Sequence, residues 1–210
     1  EIQETHRWLQ ENSRIPLLLP ANLEAGGTGS VEEGTNFGKP LQAAATDDET
    51  EGYHLGKISC TEGAAVGINW SFAPIVDIDN NWRNPITNLR TFGDDPRRVL
   101  RFGSGYLKGA AEAGVAVSIK HFPGDGVDER DQHLHTTVNA LSADEWMDTY
   151  GMIYKGLIDQ GAQTVMVGHI AQPAWAKRLN PSLSGKDLYR PATLSREIVT
   201  GLLRETLGFN

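Results

Sequence analysis

Val115-Ala116-Val117-Ser118-Ile119-Lys120-His121-Phe122 is an apolar run whose end carries a lysine and a histidine. The run reads as a buried strand, and charge at such a place is costly unless a ligand or a partner meets it. Working outward, the same arrangement recurs. Ile15 to Leu19 leads to Asn22, Trp70 to Val76 leads to Asp77, and Thr164 to Ile170 contains His169. Polar groups at or just past the ends of several strands are how a (β/α) barrel assembles a site. An open doubly wound sheet binds mainly at one switch point. No GxGxxG fingerprint argues for the open sheet.

Helical patterns separate these runs. Thr46 and Glu49 have capping-box spacing, which predicts a helix from about Thr46. Asp95-Pro96 predicts another, with an apolar stripe at Val99, Phe102, Tyr106, Leu107 and Ala110. Ser142-x-x-Glu145 caps a third that Gly161 closes, and Ser195 caps a last one running toward Leu207. Four strand–helix units without hairpin signals predict an α/β fold with a parallel sheet. The expected architecture is a (β/α)8 TIM-type barrel forming one domain over residues 1–210. It has fewer strands than the eight of a closed barrel, so the first and last strands are expected to be missing.

Bulk properties narrow the function. The 210 residues are 39% hydrophobic and 22% charged, an ordinary globular composition. The net charge of −8 disfavours nucleic acid as a partner, and no apolar stretch is long enough to span a bilayer. The single cysteine, Cys60, rules out an internal disulfide and fits a reducing, cytoplasmic setting. The opening Glu1-Ile2-Gln3-Glu4 reads as a helix interior rather than a signal peptide.

The densest chemistry follows the quoted strand: Lys120-His121-Phe122-Pro123-Gly124-Asp125-Gly126, then Asp128, Asp131, His133 and His135. One reading of Lys120 is a ligand-binding cation; the other is a lysine neutralised by a neighbouring strand-end carboxylate. The glycines around Asp125 suggest unusual backbone angles and a mobile loop. In an extended segment Asp131 and His133 point the same way, so the carboxylate can fix one imidazole nitrogen and leave the other for proton transfer. Spacing alone equally allows a surface salt bridge. His133-x-His135 with Asp125, Asp128 or Asp131 has zinc-ligand types, but the ligands crowd one loop, and neither metal nor cofactor is expected. Gly26-Gly27-Thr28-Gly29 lacks the Gly-Lys-Ser/Thr of a phosphate loop. Trp8, Trp70, Trp82, Trp146 and Trp175 could stack on sugars, though Trp146 lies in a helical stripe and reads as core.

Lys120-His121-Phe122-Pro123-Gly124-Asp125-Gly126 followed by Asp131-Gln132-His133 resembles a motif of glycoside hydrolase family 3, in its β-N-acetylglucosaminidase branch. There the loop reads Lys-His-Phe-Pro-Gly-His-Gly, followed at the same distance by Asp-Ser-His. Phe72-Ala73-Pro74-Ile75-Val76-Asp77, Asn88-Leu89-Arg90-Thr91-Phe92-Gly93 and Pro191-Ala192-Thr193-Leu194-Ser195 are similar to further family segments.

The resemblance implies retaining hydrolysis of β-linked N-acetylglucosamine or a related hexose, as in fragments of peptidoglycan or chitin. His133 would be the acid/base, Asp131 its orienting partner, and Arg90, Lys120, His121, Asn22 and His169 would bind the sugar. Asp77 would be structural or substrate-facing. The family's Asp-x-Glu-Gly-Gly is here Asn22-Leu23-Glu24-Ala25-Gly26-Gly27, and Asp125 replaces a histidine. The family's nucleophilic aspartate lies on a later strand, beyond Asn210, so these residues alone are expected to be inert. A phosphorylase on the same scaffold and a non-catalytic sugar-binding relative are the alternatives. Unpaired strand edges further suggest a homodimer.

Overall fold

The structure is a computed structural model describing residues 1–210. After the helix α1 (Ile2–Glu11) come β1 (Pro20–Ala21), α2 (Pro40–Ala44), α3 (Thr50–Ala65), β2 (Trp70–Ser71), α4 (Pro96–Glu112), β3 (Ala116–Phe122) and β4 (Thr137–Val138). A helix over Ala143–Asp159 leads to β5 (Thr164–Val167) and β6 (Ile170–Ala171). Pro173–Leu179 and Glu197–Thr206 form the closing helices.

Strand order decides between the two architectures. β1, β2, β3 and β5 lie side by side in sequence order, all parallel, with Pro20 opposite Trp70, Trp70 opposite Ala116 and Ser118 opposite Thr164. Each new strand is added on the same side, whereas a doubly wound sheet reverses at its switch point. The chain therefore winds as a barrel does. The arc contains four strands and is not closed on itself.

Local sequence explains the elements that position the site. Asp95 accepts a hydrogen bond from the Arg97 amide at 2.8 Å, with Pro96 opening α4. All five stripe residues of α4 are buried. Ser142 and Glu145 form a reciprocal capping box. Trp146 is fully buried, edge-on to Phe122, and its indole N–H donates to the Pro123 carbonyl at 2.7 Å. The aromatic core thereby holds the exit of β3.

Three expectations need correction. The first strand is Pro20–Ala21, not Ile15–Leu19; Ile15 and Leu18 are 74% and 60% exposed on the approach to an edge strand. The helix expected from Thr46 begins at Thr50, because the Asp48 carboxylate accepts from the Thr50 amide and hydroxyl, while Thr46 bonds back to Ala43. The run Thr164–Ile170 is two strands. β5 continues the sheet, and β6 pairs with β4 instead, Thr137 opposite Ile170. Gly168 and His169 make the crossing.

Candidate active site

The C-terminal ends of β1, β2, β3 and β5 enclose a cavity of about 340 Å3. Asn22, Arg90, Lys120, His121, His133 and His169 all line it. Asp131 stands behind His133. Successive strand residues normally face opposite sides, yet Lys120 and His121 both reach the cavity. The β3–β5 ladder slips between Lys120 and Phe122, as at a bulge.

One wall is built from charge. The Lys120 ammonium donates to Glu24 at 2.7 Å and to the Asn22 side-chain oxygen at 3.1 Å. Arg90 grips the same carboxylate with two nitrogens, at 3.0 and 3.1 Å. Lys120 is therefore paired with a strand-end carboxylate and also faces the cavity. Burial acts to raise the Glu24 pKa, but the hydrogen bonds and charges of Arg90 and Lys120 outweigh it and hold the carboxyl below its ordinary value. Burial lowers Lys120, opposed by Glu24.

A second cluster fixes His121. Asp77 is fully buried and does not line the cavity. It accepts from the His121 amide at 3.1 Å and the Asp125 amide at 2.8 Å, and pairs with His121 Nδ1 at 2.7 Å. The second imidazole nitrogen is left for a ligand. Asp125, 2% exposed, does not line the cavity and accepts from Asn84, Gly126 and Gln132. Burial, with Asp77 adding to it, raises its pKa. The flanking glycines serve close packing: a Cβ on Gly126 would collide with the Ile78 carbonyl, and one on Gly124 with the Tyr150 ring.

The dyad differs in character. His133 Nδ1 lies 2.7 Å from Asp131 Oδ1, which also accepts from the His133 amide at 2.8 Å. The segment is a turn rather than the expected extended stretch, since the Leu134 and His135 amides both donate to the Asp131 carbonyl. A carboxylate capping the amide two residues on is an Asx turn, which brings the imidazole to the same oxygen. The amide hydrogen bond, followed by the ring, lowers the Asp131 pKa. Asp128 does not turn toward His133; it braces the loop through Arg130 and the Val138 amide, and its pKa falls to about 2.

The Thr193 hydroxyl lies 3.3 Å from His169 Nδ1, which connects the Pro191–Ser195 segment to the site. Trp146 and Trp175 are buried, while Trp8 and Trp82 are 61% and 77% exposed. Sequence reasoning missed Glu24 and Gln132, which line the cavity, and the anchoring role of Asp125. The signals for Glu24 were its position two residues past Asn22 and its match to the glutamate of the family's Asp-x-Glu-Gly-Gly segment. A cavity rimmed by guanidinium, ammonium and imidazole donors suits a ligand rich in oxygen acceptors.

The family model described as the glycosyl hydrolase family 3 N terminal domain matches residues 1–210. The chain belongs to glycosyl hydrolase family 3. A β-N-acetylglucosaminidase/β-glucosidase of Cellulomonas fimi is 46% identical over 202 residues, 96% of this chain and 36% of that protein. A β-hexosaminidase of Xylella fastidiosa (strain M23) is 30% identical over 217 residues, covering 100% of this chain and 60% of its own length. Among solved structures, the β-glucoside phosphorylase BglX bound to 2FGlc shares 50% identity at a TM-score of 0.96, over 99% of this chain and 38% of that one. A family 3 β-N-acetylglucosaminidase from Paenibacillus sp. str. FPU-7 shares 31% at 0.87, over 99% and 39%. The chain thus spans between 36% and 60% of the length of these relatives. No helix is long and apolar enough to cross a membrane.

Proposed function

We propose that this family 3 domain serves a retaining glycosidase that releases β-linked N-acetylglucosamine or a related hexose. The observation that carries the reading is the meeting of six sugar-suited side chains in one cavity, with His133 at its rim and Asp131 holding the far side of its ring.

In this reading Asn22, Arg90, Lys120, His121 and His169 bind the sugar's hydroxyls. The His133 imidazolium gives its Nε2 proton to the glycosidic oxygen as the bond to the anomeric carbon breaks, while a carboxylate attacks that carbon. His133, now neutral, takes a proton from water, whose oxygen displaces the carboxylate and frees the sugar. Asp131 stabilises the charged ring in both directions. Glu24 is the single carboxylate of residues 1–210 that lines the cavity, and Lys120 and Arg90 occupy both its oxygens. We therefore assign the nucleophile to an aspartate outside these residues.

A specific observation also favours a phosphorylase. The relative that overlaps this chain at a TM-score of 0.96 is a β-glucoside phosphorylase. The rim carries two cations and three imidazoles against one carboxylate, so an incoming phosphate meets little repulsion.

The test is product analysis on the protein as encoded, including any residues that follow Asn210. Aryl β-N-acetylglucosaminides and β-glucosides are incubated with and without inorganic phosphate. Free sugar in both cases supports the glycosidase; sugar 1-phosphate that forms only with phosphate supports the phosphorylase. Turnover in neither case, with the domain folded, removes both.

A further inference from the structure

We propose that Gln132 is a positioning residue whose side-chain amide fastens the loop carrying Asp131 and His133 to Asp125 and to the end of β5. The inference rests on His133 being the acid/base of the proposed reaction.

Gln132 sits between the half-buried Asp131 and the exposed His133, yet it is only 4% exposed. Its Nε2 donates to Asp125 Oδ2 at 2.7 Å, and its Oε1 accepts from the His169 amide at 3.2 Å. The amide's orientation follows from chemistry, because a backbone N–H can only donate and a carboxylate accepts. Asp125 is a firm anchor: Oδ1 takes hydrogen bonds from Asn84 and Gly126, and its own amide is held by Asp77. One side chain therefore joins the loop after β3 to the strand end that presents His169.

Little else ties this loop down. From Glu129 to Thr136, the remaining hydrogen bonds and ion pairs are local to the loop, apart from an exposed Arg83–Glu129 pair at 3.8 Å. The Asx turn at Asp131 shapes the dyad but does not fix its place over the cavity. Gln132 does both tasks a turn cannot: it sets depth through Asp125 and direction through His169. Proton transfer demands placement within hydrogen-bond reach, and errors of about 1 Å can lower a rate about 100-fold.

The pair offers a donor–acceptor exchange as a test. In Gln132→Glu, two buried carboxylates confront each other; in Asp125→Asn, two amide NH2 groups do. The double variant carries both substitutions. There the new amide at position 125 donates to the new carboxylate at position 132, whose second oxygen still takes the His169 amide. Rates on an alkyl glycoside and a nitrophenyl glycoside are measured in the protein as encoded, with amide hydrogen exchange over residues 129–135. Each single variant, and Gln132→Ala, should lower kcat on the alkyl substrate about 10- to 100-fold, with less loss on the nitrophenyl substrate. KM should stay within about threefold, and the double variant should return to within about threefold of wild type. Exchange over 129–135 should accelerate in the singles and recover in the double.

Unchanged kcat in the singles overturns the proposal. So does a folded double variant no better than the worse single, or a rise in KM with kcat intact. If a variant at Asp125 does not fold, Gln132→Ala decides by the leaving-group contrast. If the wild-type protein cleaves no glycoside, the functional reading falls, and hydrogen exchange in Gln132→Ala alone decides the fastening.

Discussion

Lys120 with Glu24 and His133 with Asp131 are both cation–carboxylate pairs at 2.7 Å, yet the Lys120 side chain is 3% exposed and that of His133 is 60%. Equal distances hide different physics. The first pair is withdrawn from water with Arg90 as a third member, so each charge depends on the others for solvation. The second is screened by solvent and contributes about 0–1 kcal/mol at most, as exposed pairs generally do. The wall that would hold the sugar is thus part of what folds the domain. The dyad can be altered with little structural consequence, which separates measurements of stability from measurements of chemistry.

That contrast breaks most readily at Glu24. Glu24→Ala leaves the buried Lys120 and the half-buried Arg90 without a counter-charge and should destabilise the domain by about 3–5 kcal/mol in denaturant unfolding. Asp131→Ala should change stability by less than about 1 kcal/mol. Similar losses in both would erase the distinction between the regions. A rate effect comes next. Asp131→Asn can still accept from the His133 amide but withdraws the charge that steadies the imidazolium. It should lower turnover of unactivated glycosides about 10- to 100-fold while the unfolding midpoint stays put.

Acid sharpens the same comparison. The folded-state pKa of Glu24 is depressed, so its contribution is complete above the ordinary carboxylate range and is lost as pH falls through the lowered value. Unfolding free energy measured from neutral pH downward should therefore decline on the acid side. Glu24→Gln should be less stable at neutral pH and show a shallower decline. An unchanged acid limb would mean that the triad contributes nothing to it. The smallest effect belongs outside both regions. Asp95→Ala removes the cap of α4 and should cost about 1 kcal/mol in thermal unfolding, with unaltered catalytic constants.

The legible parts of the molecule were those decided locally. Asp95-Pro96 and Ser142-x-x-Glu145 start helices through contacts within three residues, and both are formed. Lys120 and His121 stood out because charge ended an apolar run. The barrel winding could be inferred from polar strand ends, and strand order bears it out. Glu24 was hidden because it becomes informative only when Arg90 and Lys120 arrive from 66 and 96 residues away. Gln132 was hidden likewise, since its meaning depends on Asp125 turning inward. The Asp131–His133 contact was expected from the two-residue period of a strand, but a turn makes it. Ile15–Leu19 was misread because apolar composition cannot distinguish a paired strand from the exposed approach to one.

The role of His133 is open to a direct kinetic reading. First-step rate constants are determined for the wild-type protein as encoded and for His133→Ala, across aryl and alkyl β-glycosides of graded leaving-group acidity. If His133 delivers the proton, its removal steepens the dependence: nitrophenyl glycosides lose little, and alkyl glycosides lose about 100-fold or more. Two parallel lines, with every substrate slowed by the same factor, would contradict proton delivery by His133.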